Sequence, residues 1–168
     1  MNDNLANFDR WFKEPILELQ EDPNAGFIIV MISLALLERY LREKSGVTEG
    51  KLNAGFRAEM MKLFPVIASD DIAKIFWAVC RNGLMHQATF RTTWGGKNVT
   101  MGLLESAAEI EHRYGSSGDT FMISPTRFSN RVIEVIENDP STFEAPHSPN
   151  HPLSQVSSVT GYSGYSGN

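Results

Sequence analysis

The chain has 168 residues, 42% of them hydrophobic, and a formal charge of −5 at neutral pH. That length and apolar share suit one domain with a substantial core, and the acidic balance argues against a protein that coats nucleic acid nonspecifically. A lone cysteine, Cys80, excludes an internal disulfide and fits a reducing cytoplasm.

In chain order, Met1-Asn-Asp-Asn lacks the basic and apolar regions of a signal peptide. Asp9, Trp11, Phe12, Ile16 and Leu19 mark a first amphipathic helix, which Pro15 kinks or splits. Asn24 is a candidate cap for a second helix through the apolar run 27–37 to Lys44, ended by Gly46. That run falls short of the roughly 20 residues a membrane span needs and reads as a buried helix. A shorter helix is expected over 52–64, closed by Pro65. Ser69-Asp70-Asp71 then supplies an N-cap and acidic first turn to a helix containing Ile72, Phe76, Trp77 and Cys80.

From residue 88 the period changes. Ala88–Trp94 and Lys97–Met101 predict a hairpin turning at Gly95-Gly96, and 109–114 with 120–123 predict another around 115–118. Gly95-Gly96-Lys97 lacks the spacing of a phosphate-binding loop. Ser124-Pro125 opens a last helix whose apolar set is Phe128, Val132, Ile133, Val135 and Ile136. The segment 139–168, rich in proline and serine and without Lys or Arg, reads as a low-complexity tail that is disordered or ordered only by a contact. His147 and His151 have the i,i+4 spacing of metal ligands, but no helix is expected among those prolines.

The residues most suggestive of chemistry are Arg81-Asn82-Gly83-Leu84-Met85-His86, at the end of the apolar helix. Arginine is a permanently charged phosphate partner, and histidine carries protons near neutral pH. Between Asp71 and Glu105 there is no acidic residue, while Lys74, Arg81, Arg91 and Lys97 give that stretch +4. It reads either as a small phosphate-holding patch or as an ordinary mixed surface. On a regular helix at about 100° per residue, Asn82 and His86 share a face, whereas Arg81 and His86 diverge by about 140°. Loosening near Gly83, or a second copy of the helix across a two-fold axis, would bring them together. The motif therefore predicts a composite, dimeric site.

Arg-Asn-x-x-x-His at the end of an apolar helix, in a mainly helical chain of this size, resembles the HEPN superfamily, whose signature is an arginine, four to six residues, then a histidine. The resemblance implies a mainly α fold: a HEPN-like helical bundle over 1–138, with 88–123 as a small β-hairpin insertion between the motif helix and the last helix. It further implies a cytoplasmic homodimer acting as a metal-independent endoribonuclease. It places such a protein among toxins and phage-defence effectors, with an antitoxin or regulatory protein as partner. Arg81, Asn82 and His86 would be catalytic, Lys74, Arg91 and Lys97 would bind RNA, and neither metal nor other cofactor is called for. His86 would move the proton as the 2′-hydroxyl attacks phosphorus, and Arg81 would hold the developing charge. Asn82 would orient His86 or bond the phosphate or ribose. The alternative within the family is a non-catalytic module that binds RNA, nucleotide or a partner protein. Outside it, Arg81 and His86 are two cations at a helix C-terminus, favoured by its dipole. Glu38 interrupts an apolar helix and reads as a solvated helix edge, or else as a carboxylate reaching toward His86, and His112 has no evident partner.

Overall fold

A computed structural model describes residues 3–47, 53–87, 92–116 and 118–143, with backbone alone for 3, 4 and 85–87. The first helical stretch comprises α1 (Asp3–Phe8), a π-turn (Asp9–Lys13) and α2 (Glu14–Leu19). Pro15 lies in the opening turn of α2, and the wide turn just before it, closed by Glu14 N–H donating to the Asp9 carbonyl, absorbs the misfit of its ring and missing donor.

The long helix α3 (Gly26–Ser45) buries Ile29, Val30, Leu34, Leu37 and Leu41 and ends on Gly46 in the left-handed region. Its N-cap is Ala25, not Asn24, and makes no side-chain bond. The Asn24 amide groups turn back instead to Asp22 Oδ1, at 2.8 and 3.2 Å. Asn53 caps α4 (Ala54–Leu63), and Ser69 caps α5 (Asp70–Phe76), each hydroxyl or amide oxygen accepting a backbone N–H from the first turn. A second π-turn (Trp77–Arg81) joins α5 to α6 (Asn82–Gln87). Ser124 caps α7 (Pro125–Asn138), which packs along α3.

The helical bundle with a hairpin insertion is not the architecture found. The strands form one four-stranded mixed sheet, so the fold is mixed α/β. Both expected turns join paired strands, β1 (Thr93–Trp94) with β2 (Lys97–Leu103) and β3 (Ile110–Gly115) with β4 (Gly118–Ile123). Of the first strand expected over 88–94, however, only Thr93–Trp94 is strand, and 88–91 lie outside the described residues. What unites the two hairpins is a parallel pairing of β2 with β4, from Val99 opposite Asp119 to Leu103 opposite Ile123, giving the order β1-β2-β4-β3. Hydrophobic alternation reveals strands and tight turns, but it carries no information on a pairing between strands distant in sequence.

The sheet's inner face carries Val99, Ile110, Phe121 and Ile123, all buried. Phe121 packs on Phe76 of α5 with ring centroids 5.6 Å apart, and Phe56 of α4 meets Trp77 edge-on at 4.8 Å. The segment Trp77–Cys80 is thus buried on every side, the mark of a helix inside a core. Packing also continues past Asn138. Residues Pro140–Phe143 form a short 3-10 turn, and Phe143 sits against Phe8 and Phe12 beneath the Arg39 guanidinium. Residues 144–168 lie outside the described residues. Among the described residues no helix is long and apolar enough to cross a membrane.

Candidate functional site

Arg81 closes the second π-turn, in which the Asn82 N–H donates to the Trp77 carbonyl five residues back. Such turns add a residue to the helix and recur at functional sites. The loosening expected near Gly83 therefore falls one turn earlier, and Gly83 itself is buried in α6. From Asn82 to Gln87 the backbone is α-helical, so the divergence of positions 81 and 86 along one chain persists. The His86 side chain, and all of Arg91, lie outside the described residues.

Arg81 turns toward α3. Its Nε donates to Glu38 Oε2 at 2.6 Å, with Nη2 at 2.5 Å from the same oxygen. The other oxygen, Oε1, accepts from Arg42 Nε at 2.9 Å and lies 2.8 Å from Nη2. The Glu38 side chain is only 13% exposed, so it is no solvated edge: it is a half-buried carboxylate clamped by two guanidinium groups. Asn82 Oδ1 accepts from Arg81 Nη1 at 3.2 Å and so orients the arginine. Arg42 Nη1 is buried with no hydrogen-bond acceptor among the described residues, a group that stays costly until an acceptor meets it.

These side chains line a cleft of about 570 Å³ together with Arg57, Lys74, Trp77 and Trp94. Arg57 bonds Asp70, and Lys74 bonds Asp70 at 2.7 Å and Asp71 at 3.2 Å. The Arg57 and Lys74 contacts hold the Asp70 carboxyl below its ordinary range, and hydrogen bonds from Asp70 and Asp71 push the Lys74 ammonium up. The +4 stretch is therefore acid-free in sequence alone. In space, each of the cleft's four cations, Arg42, Arg57, Lys74 and Arg81, meets a carboxylate of Glu38, Asp70 or Asp71, and four positive charges against three negative ones leave about one net positive charge. Of the residues expected to bind RNA, Lys74 lines the cleft. Lys97 is exposed directly across the hairpin from Trp94, and cross-strand partners share a face.

The comparisons with known proteins add nothing to this geometry: no family model, no curated protein and no solved structure matches the chain. Among the described residues no group of three or more His, Cys, Asp or Glu side chains is placed to hold a metal ion.

Four participants escaped the sequence reading: Glu38 as an ion-pair partner, Arg42, Arg57 and Trp94. Glu38 and Arg42 are one helical turn apart, a spacing visible in sequence, but nothing local points to Arg57. His112 does have a partner, since its Nε2 lies 2.7 Å from Asp119 Oδ1, and its ring stacks on Phe121 at 4.5 Å. Counting register outward from the Gly115–Gly118 turn sets 112 opposite 121 and 119 on the same face, so this pair was within reach. Both side chains are nearly buried, and the pair fastens β3 to β4. Cys80 is fully buried, which pushes its thiol well above the ordinary range and keeps it out of thiolate chemistry.

Proposed function

We propose that the chain is a metal-independent endoribonuclease that acts as a homodimer, with Arg81, Asn82 and His86 as its catalytic group. The observation that carries the reading is that Arg81 and Asn82 open onto one cleft with three further basic side chains and an exposed tryptophan. Arg81 stabilises the charge that develops on phosphorus, Asn82 fixes the guanidinium, and His86 transfers the proton of the attacking 2′-hydroxyl. The second copy of the motif supplies the convergence that one helix lacks. The reading takes its chemistry from the HEPN-type motif and does not depend on a helical bundle. A role as a toxin or phage-defence effector, held in check by a partner protein, follows from the same motif.

The test is cleavage of a labelled RNA by the full chain with EDTA present. His86→Ala is expected to reduce the rate by about 10²–10⁴-fold, with unchanged circular dichroism and sedimentation. Wild-type products should end in a 2′,3′-cyclic phosphate. Undiminished cleavage by the purified variant would sink the mechanism.

The clamp on Arg81 favours a second reading, that of a module that binds RNA without cutting it. An arginine already bonded to Glu38 and Asn82 has less to offer a transition state, yet it can still face a ground-state phosphate. A wild-type chain that binds RNA and leaves it intact would establish that reading.

A further inference from the structure

Trp94 stands at an unusual place for so large an apolar side chain. It is 39% exposed, on a two-residue strand, immediately before the Gly95-Gly96 turn. Both glycines have positive φ, 56° and 78°, the combination required by the tight hairpin turn that matches strand twist. The turn therefore fixes where the indole is presented. β1 lies against the π-turn that carries Arg81, and the Trp94 side chain joins Arg42, Arg57, Lys74 and Arg81 in lining the cleft.

With about one net positive charge, the cleft has too little electrostatic attraction to grip a polyanion through phosphate contacts alone. Affinity must draw on something else, and the exposed indole face offers it. Aromatic stacking is strong and indifferent to base identity. It requires a base that is unstacked, which a loop or single strand provides and an A-form duplex does not. The cleft volume of about 570 Å³ is within the roughly 300–1,000 Å³ of small-ligand sites, room for a nucleotide or two.

We propose that Trp94 is a base-stacking platform and that the cleft it borders accepts single-stranded RNA, one base lying on the indole while the neighbouring phosphate faces the Arg81 and Lys74 side of the cleft. This rests on the nucleic-acid reading of the same cleft and adds to it the substrate class and a binding residue. Lys97, on the same face of the hairpin, lies on the path of the next phosphate along.

The test uses the full chain and a fluorescein-labelled, fully 2′-O-methylated oligouridine, which cannot undergo 2′-hydroxyl attack, so that binding is read apart from cleavage. Anisotropy titrations compare wild type, Trp94→Leu and Trp94→Phe, with thermal melts to verify folding. Leucine keeps apolar packing against the π-turn but removes the stacking face, and a roughly 10- to 100-fold loss of affinity is expected. Phenylalanine should restore most of it. The same oligouridine annealed to its complement should bind several-fold more weakly than the single strand.

Equal affinity of wild type and a folded Trp94→Leu variant overturns the proposal, as does a preference for the duplex or no measurable binding of the single strand. The two readings fail separately. A chain that binds the oligouridine through Trp94 but never cuts RNA loses the nuclease function and keeps the platform. A chain that cuts RNA with Trp94→Leu binding unchanged keeps the nuclease function and loses the platform.

Discussion

Glu38 divides its carboxylate between Arg42 and Arg81, and that division decides how the candidate site behaves. Both guanidinium groups are about a quarter exposed or less, between the surface pairs that contribute almost nothing and the buried pairs whose disruption is severe. Glu38→Gln should therefore lower stability by about 1–2 kcal/mol in urea unfolding. It should also raise affinity for single-stranded RNA, because an acid leaves the cleft. A Gln variant that bound RNA more weakly would mean that Glu38 is needed to aim Arg81. At this scale the sequence exposed the motif residues by type, but not their partners. Glu38 lies on α3 and Arg81 on the motif helix, and only tertiary packing makes them neighbours.

Local chemistry governed what could be anticipated about the elements. Ser69 and Ser124 cap their helices as expected because a cap is decided within a turn of chain. Asn24 misled because its amide had a closer competitor in Asp22, the local bonding that makes asparagine a turn former as well as a cap. Neither π-turn has a sequence mark beyond the proline that follows the first. The two glycines of the sheet's interior give a sharper test. At Gly118, φ is 118° and an added Cβ would lie 2.1 Å from the Asn98 carbonyl oxygen, a backbone atom of β2. Gly118→Ala should destabilise the fold by at least about 2 kcal/mol. At Gly102 the added carbon would meet only the Met122 thioether, at 2.8 and 3.0 Å, the movable end of a flexible side chain. Gly102→Ala should cost less than about 1.5 kcal/mol. Chemical denaturation of both variants checks the order, and comparable losses would contradict it.

The whole molecule differs from its expected bundle because a long-range pairing turns two hairpins into one sheet against the motif helix. The charge pattern changes by other routes, since Asp70 and Asp71 meet Lys74 within α5 itself and Glu38 reaches Arg81 through the packing of α3 on the motif helix. Another long-range pair ties the ends of α3 and α7: Lys44 Nζ lies 2.7 Å from Asp139 Oδ2. Hydrogen bonds from Lys44 and then Ser141 hold the Asp139 carboxyl below its ordinary value of 3.8, and the Asp139 bond pushes the Lys44 ammonium above 10.5. The depressed carboxyl contributes stability that is complete above about pH 4 and fades as pH falls through the folded value. The raised ammonium contributes stability that is complete below about pH 10 and fades as pH rises through its folded value. Asp139→Asn should accordingly melt a few degrees lower at neutral pH and converge with wild type in strong acid. Melting curves that stay parallel throughout that range would show the pair to be without effect.

The parallel register of β2 with β4 also orders events in time. Each hairpin closes over a few residues, a step of about 1–10 μs. The join between them must await the intervening chain, because distant contacts are entropically late. Trp94 rides on the earlier hairpin, yet the sheet that braces that hairpin against the motif helix is complete only when the later one docks. A nascent chain halted before residue 118 would hold Arg81, Asn82 and His86 in sequence without the braced wall of the cleft, and the site would come into being with the last strand.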